Sequence, residues 1–315
     1  MKYYGICPAS CGEFVQGFIK DKEYLCSYAI DLYSMAILEK KEIDILIGPP
    51  KSRRAMELVF EHFNIPKEES YKVSLEIKSN IPLGKGMASS TADIGATIMA
   101  TASFLNKTIT PEQASLLASK IEATDSLYIE KYSIFNPTEG TVLKRMDNFK
   151  TNPKVIILEP REKLRTTKLR QKINYKDTKL KNRYIIEEAF HLLEEGIYEN
   201  DFKKVGRACT MSSLANENIL PKPYLREIIE ISENYGAYGV NIAHSGTVIG
   251  IIIDEYMDDK KLIDKLVEKN INSYYKKIYT KNIISSGLGG ENYGIYQESN
   301  GNRRKEFYND TRNYR

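Results

Sequence analysis

Apolar and polar positions follow two different rhythms along the chain, and the change between them falls near residue 85. Before it, residues 23–30, 34–40 and 43–48 are runs of strand-forming residues set between turn signals. Residues 71–79 alternate Val73, Leu75 and Ile77 with polar neighbours, the period of two that predicts a half-buried strand. After the glycine-bearing turn of residues 80–90, Ile94, Ile98 and Leu105 recur at helical spacing and predict a helix over 91–105. A second helix is announced by Thr110 as N-cap, Pro111 at the first helical position and Gln113 completing a capping box. It is expected to run through residues 112–123 and to end near Thr124.

From about residue 150 the two rhythms alternate. Residues 153–160 read as a strand, and 182–198, 201–220 and 223–236 as helices. Residues 247–255 read as a buried strand, 260–269 as a short amphipathic helix and 274–284 as a last strand. No internal repeat is visible. The pattern predicts an α+β protein of two lobes, residues 1–150 and 151–296. The polar tail, 297–315, has almost nothing to bury and is expected to be disordered.

Composition narrows the function classes. At 315 residues, 42% hydrophobic and 28% charged, the chain has the make-up of a globular protein with a sizeable core. Its 46 basic and 42 acidic residues are spread throughout, giving a net charge of +4. That is too balanced for a nucleic-acid surface, yet compatible with an anionic ligand such as a nucleotide. No apolar run is long enough for a membrane span, and the first residues lack the zones of a signal peptide. Cys7, Cys11, Cys26 and Cys209 have neither disulfide-framework nor zinc-knuckle spacing, so reduced thiols and a cytoplasmic location are expected. The sequence says nothing of oligomeric state.

Candidate chemistry concentrates in Pro82-Leu83-Gly84-Lys85-Gly86-Met87-Ala88-Ser89-Ser90-Thr91-Ala92-Asp93. A strand, a tight turn with two glycines, then small and hydroxyl residues opening a helix is how backbone cradles phosphate. Glycine permits close approach, and the first helical amides and the dipole favour an anion. Ser89, Ser90 and Thr91 add hydroxyls for phosphate or magnesium, and Lys85 adds a cation. The spacing is not that of a P-loop. It begins like a dinucleotide fingerprint, but a helix follows where that fingerprint needs a strand ending in an acidic residue. An ordinary helix cap is the remaining alternative.

Segment 82–93 resembles the second signature of the GHMP kinases, P-x-G-x-G-L-G-S-S-A. Pro8-Ala9-Ser10-Cys11-Gly12-Glu13-Phe14-Val15-Gln16-Gly17 resembles their first signature, and Gly236–Val240 through His244-Ser245-Gly246-Thr247 their third. The first and second signatures, with residues 29–34 and 122–126, are similar to the variants in L-threonine kinases, which make the precursor of cobalamin's aminopropanol linker.

The resemblance implies a GHMP kinase two-lobe fold, an N-terminal lobe related to ribosomal protein S5 and a ferredoxin-like C-terminal lobe. It also implies ATP and Mg as cofactors, and a small-molecule substrate, L-threonine. Homoserine or a similar alcohol is the alternative, as is a catalytically silent metabolite-binding protein. ATP is expected on Pro82, Leu83, Gly84, Lys85, Gly86, Met87, Ala88, Ser89, Ser90 and Thr91. Catalysis is assigned to Asp125 with Lys85, the metal to Ser90 and Glu122, and substrate binding to Glu13, Asp31 and Ser10. The helix before Asp125 is expected to present its negative end to that carboxylate. Asp125 as a plain helix cap is the competing reading. Ser10 stands where mevalonate kinases carry a lysine.

Overall fold

The computed structural model describes residues 1–41, 48–147, 150–164, 175–287 and 312–313. Its framework is a long hairpin of β1 (Lys2–Ile19) and β2 (Lys22–Lys40), closed by a tight turn in which Lys20 takes a left-handed conformation. The ladder slips at three places, between Pro8 and Ala9, Ser10 and Glu13, and Glu13 and Val15. Bulges of this kind re-aim side chains, and here they turn Glu13 into the cleft described below. β3 (Val73–Ser79) adds to β2, and its alternation buries Val73, Leu75 and Ile77 as the sequence predicts.

Helix α2 (Ser89–Phe104) lies against this hairpin and helix α1 (Pro50–His62) packs on α2, followed by α3 (Pro111–Ser119). Thr110 and Gln113 form the expected capping box on α3. That helix ends at Ser119 rather than near Thr124, because the chain turns away and the Thr124 amide donates to the Pro137 carbonyl. A hairpin of β4 (Tyr132–Asn136) and β5 (Thr141–Met146) follows.

The second half runs β6 (Lys154–Glu159), α4 (Tyr175–Lys181), α5 (Arg183–Glu199), α6 (Phe202–Ala215), α7 (Leu225–Asn234), β7 (Gly239–Ile242), β8 (Ile249–Ile253), α8 (Asp259–Glu268) and β9 (Lys277–Ile284). The strands pair antiparallel in the order β7-β8-β6-β9, the ferredoxin-like arrangement. β6 divides its side chains between two cores. Val155 and Ile157 join the large cluster beneath β1 and β2, whereas Ile156 and Leu158 join a second cluster with α7 and α8. Each such buried aliphatic side chain contributes about 1.5–3 kcal/mol.

The sheet does not break between the halves. β1 pairs β7 at Glu13 and Ile242, and β2 pairs β9 at Ala29 and Ile30, so β1, β7, β8, β6, β9 and β2 form a closed circuit. Arg312–Asn313 forms a short strand, β10, on β3. The rest of the tail and the predicted strand at 43–48, apart from Gly48, lie outside the described residues.

Candidate active site

A cleft of about 460 Å³ opens at the head of α2, lined by the 84–91 loop, by Glu13 and Gln16 of β1, and by Lys51, Glu122 and Asp125. Three residues of the loop are left-handed, Gly84 (φ +70°), Gly86 (φ +83°) and Ala88 (φ +55°). Ala88 is the N-cap of α2 and supplies no side-chain cap, and the first helical bond runs from the Ala92 amide to the Ala88 carbonyl. The amides ahead of it, backed by the helix dipole, suit an anion. Pro82 and Leu83 are half-buried and stand outside the lining.

The other two signatures hold this loop in shape. The Lys85 carbonyl accepts from the Thr247 amide at 2.7 Å and the Val248 amide at 3.2 Å, and the Met87 carbonyl from the Ser10 amide at 3.3 Å. A Cβ added to Gly86 would lie 2.4 Å from the Ala243 Cβ and 2.7 Å from the Gly246 Cα. The second glycine is therefore demanded by the third signature.

The Lys85 side chain corrects the expectation placed on it. Its ammonium is buried away from the cleft and donates to the carbonyls of Pro160, Arg161 and Glu162, with the Glu159 carboxylate 3.8 Å away. Burial pulls its proton affinity down, and Glu159 opposes that pull. Lys85 fastens the loop to the end of β6 and offers no cation to a phosphate.

Asp125 is half-buried in the wall of the cleft. Its Oδ1 accepts from the Ser27 hydroxyl at 3.3 Å and its Oδ2 from the Thr91 hydroxyl at 3.2 Å. It begins the 3-10 turn Ser126–Tyr128 but makes no capping bond from its side chain. Burial, then the charge of Glu13, push its carboxyl up to about 7, against the two hydroxyls. The helix-dipole expectation does not hold, because α3 ends six residues earlier.

Ser90 and Glu122 meet through a residue the sequence reading missed. The Lys51 ammonium donates to the Ser90 hydroxyl at 3.3 Å and pairs with the Glu122 carboxylate. A hydroxyl and a carboxylate already sharing one cation fit magnesium, which prefers hard oxygen donors. Among the described residues no cluster of three or more His, Cys, Asp or Glu could hold a metal alone. An ion at Ser90 and Glu122 would take its remaining ligands from water and phosphate.

Glu13 lines the cleft, and its Oε2 accepts from the His244 amide at 3.1 Å and from His244 Nδ1 at 2.9 Å. His244 Nε2 faces the Ser212 hydroxyl at 2.8 Å, and Ser212 in turn accepts from the Gln16 amide. Burial lowers the proton affinity of His244, so the neutral ring donates through Nδ1 and accepts at Nε2. The structure does not bring Ser10 and Asp31 to the cleft. The Ser10 hydroxyl is buried with no hydrogen-bond partner among the described residues, and both Asp31 oxygens are taken by the amide and side chain of Asn282. Lys51 was missed because nothing in the run 50–54 announces a cleft. Only its placement at the start of α1 brings it to Ser90.

Residues 51–127 match the GHMP kinases N terminal domain and residues 193–272 match the GHMP kinases C terminal domain. An L-threonine kinase of Salmonella typhimurium is 30% identical over 285 residues, 90% of this chain and 93% of that protein. An L-threonine kinase of Citrobacter freundii is 28% identical over 285 residues, 90% of this chain and 97% of that protein. A crystal structure of mevalonate kinase superposes with a TM-score of 0.65 at 17% identity, covering 90% of this chain and 99% of the other. Among the described residues, no helix is long and apolar enough to cross a membrane.

Proposed function

The chain belongs to the GHMP kinases, ATP-dependent enzymes acting on an alcohol, and we propose that its alcohol is the side-chain hydroxyl of L-threonine. The product is L-threonine O-3-phosphate, which would serve as precursor of the aminopropanol linker of cobalamin. The observation that carries the reading is Asp125: a half-buried carboxylate beside the phosphate loop, aligned by Ser27 and Thr91, whose carboxyl is pushed up to about 7. A general base is most effective when it titrates near the working pH.

ATP lies with its phosphates on the backbone of Gly84, Gly86 and Ala88–Thr91. Magnesium, when bound at Ser90 and Glu122, neutralises phosphate charge. Asp125 takes the proton of the threonine hydroxyl as that oxygen bonds to the γ-phosphorus and the bond to the ADP oxygen breaks. Glu13, fixed by His244, meets the substrate's ammonium group, since a free amino acid needs a carboxylate at that end. The two threonine kinases with 28–30% identity over 90% of the chain support this choice of substrate.

Release of ADP, measured with L-threonine, L-homoserine, L-serine, mevalonate and galactose, tests the reading. Threonine is expected to give the highest kcat/KM. Serine should remain a weak substrate, because one methyl supplies only about 1–3 kcal/mol of discrimination. A preference for homoserine would overturn the substrate assignment and leave the phosphoryl-transfer assignment standing.

A further inference from the structure

The charges of the cleft do not suit its ligand. Glu13, Glu122 and Asp125 are acidic, and a nucleotide triphosphate adds several more negative charges. Lys85 is committed to three carbonyls and Glu159 on the far side of the loop. Among the described lining residues Lys51 is the sole basic one.

Its position is locally unfavourable. Lys51 is in the first turn of α1, behind Pro50, in a turn with no acidic residue, so it stands at the positive end of the helix dipole. The neighbouring cations have their own partners. Arg53 donates to the carbonyls of Val73 and Ser70, and Arg54 pairs with Glu57 and Glu61. Lys51 alone of the three is turned onto the cleft, and it spans Ser90 and Glu122 with its side chain still 51% exposed. An ion pair this open contributes little stability and exchanges readily.

From this we propose that Lys51 is an exchangeable counter-cation of the active site. Without nucleotide it neutralises Glu122 and holds that side chain on Ser90. With nucleotide bound it leaves the pair to a divalent ion and swings its flexible four-carbon stem onto the phosphates. The site then keeps a cation on Glu122 in both states, and the phosphates gain a second one. The inference rests on the kinase reading of the cleft and is independent of which alcohol is phosphorylated.

Three proteins decide it: wild type, Lys51→Met and Lys51→Arg, with melting temperatures checked first. ATP binding is measured by calorimetry in EDTA, without divalent ion or threonine. Lys51→Met should weaken metal-free ATP binding about ten- to a hundred-fold, the usual range for losing a charge-assisted hydrogen bond. Lys51→Arg should stay close to wild type. In the second arm, the magnesium concentration giving half-maximal ADP release should fall in Lys51→Met, because a competitor for Glu122 and Ser90 has gone. Unchanged metal-free ATP affinity in Lys51→Met, or a raised magnesium requirement, would overturn the proposal. Because the calorimetric arm contains no threonine, failure of the substrate assignment shows itself separately.

Discussion

Gly86 and Gly246 stand back to back: a Cβ on Gly86 would lie 2.7 Å from the Gly246 Cα, and one on Gly246 would lie 2.3 Å from the Gly86 Cα. The phosphate loop and the third-signature loop are therefore one packed unit. Gly86→Ala adds a methyl where rigid backbone cannot yield, at a φ of +83° that L residues rarely adopt. Thermal unfolding should occur several degrees lower, and ATP affinity should fall with it. Gly84→Ala, at a φ of +70°, meets the Lys163 Cβ at 3.2 Å and the Leu164 carbonyl oxygen at 3.5 Å, looser contacts than those at Gly86, so it should destabilise less while still weakening ATP. If Gly86→Ala melted with wild type and lost only nucleotide affinity, the contact with Gly246 would not matter.

Asp125→Asn should separate function from stability. Removal of the base lowers kcat about 10²- to 10⁴-fold at saturating threonine. The folded-state carboxyl titrates at about 7 against 3.8 in the unfolded chain, so the native state binds more protons between those values. Stability from this group is thus greatest at low pH and is lost as pH rises toward 7, at a cost on the order of a few kcal/mol once the group is charged. An amide has no such charge to bury. Asp125→Asn should melt higher than wild type at pH 8 and show little advantage at pH 5. A lower melting temperature at both would return Asp125 to a purely structural role.

The pH dependence of kcat/KM carries a second signature. Activity should fall on the acid side of about 7 as Asp125 takes up a proton. Burial is the larger cause of that high value and the Glu13 charge the next, so Glu13→Gln should move the acid limb downward while keeping a hydrogen bond to His244. Any rise in KM for threonine belongs to lost substrate binding and is read apart from the limb. An unmoved limb would show that Glu13 does not act on Asp125.

Local rules reached as far as local causes act. The capping box at Thr110, the alternation of Val73, Leu75 and Ile77, and the glycine turn before α2 are decided by neighbours in sequence, and they were legible. What escaped was set by distant partners. Residues 23–30 and 34–40 belong to a single strand, because the β1 ladder resumes at Tyr33 after a bulge at Asp31 and Leu32. The strand that Lys2–Ile19 forms is interrupted by bulges and shows no clean alternation of burial, and Pro50–His62 was not read as a helix. Lys85 looked like a phosphate ligand because its sequence neighbours are the loop, but the end of β6, some 75 residues away, claims its ammonium. Asp31 likewise faces Asn282, 251 residues along the chain. The site's carboxylates Glu13, Glu122 and Asp125 were named from the sequence, whereas their tuning by burial and by Lys51 required the fold.

The closed circuit of β1, β7, β8, β6, β9 and β2 bears on how the chain can be dissected. A cut at residue 150 would leave β1 and β2 without β7 and β9, exposing backbone edges that the intact chain pairs. The large cluster beneath the hairpin would be torn as well, since it joins Phe14 and Tyr28 to Val155, Ile157 and Val205. Neither fragment would inherit a whole core, and neither would inherit the cleft, whose floor needs Glu13 from one side and Ser245 from the other. The two halves are legible as modules, yet they are not separable parts.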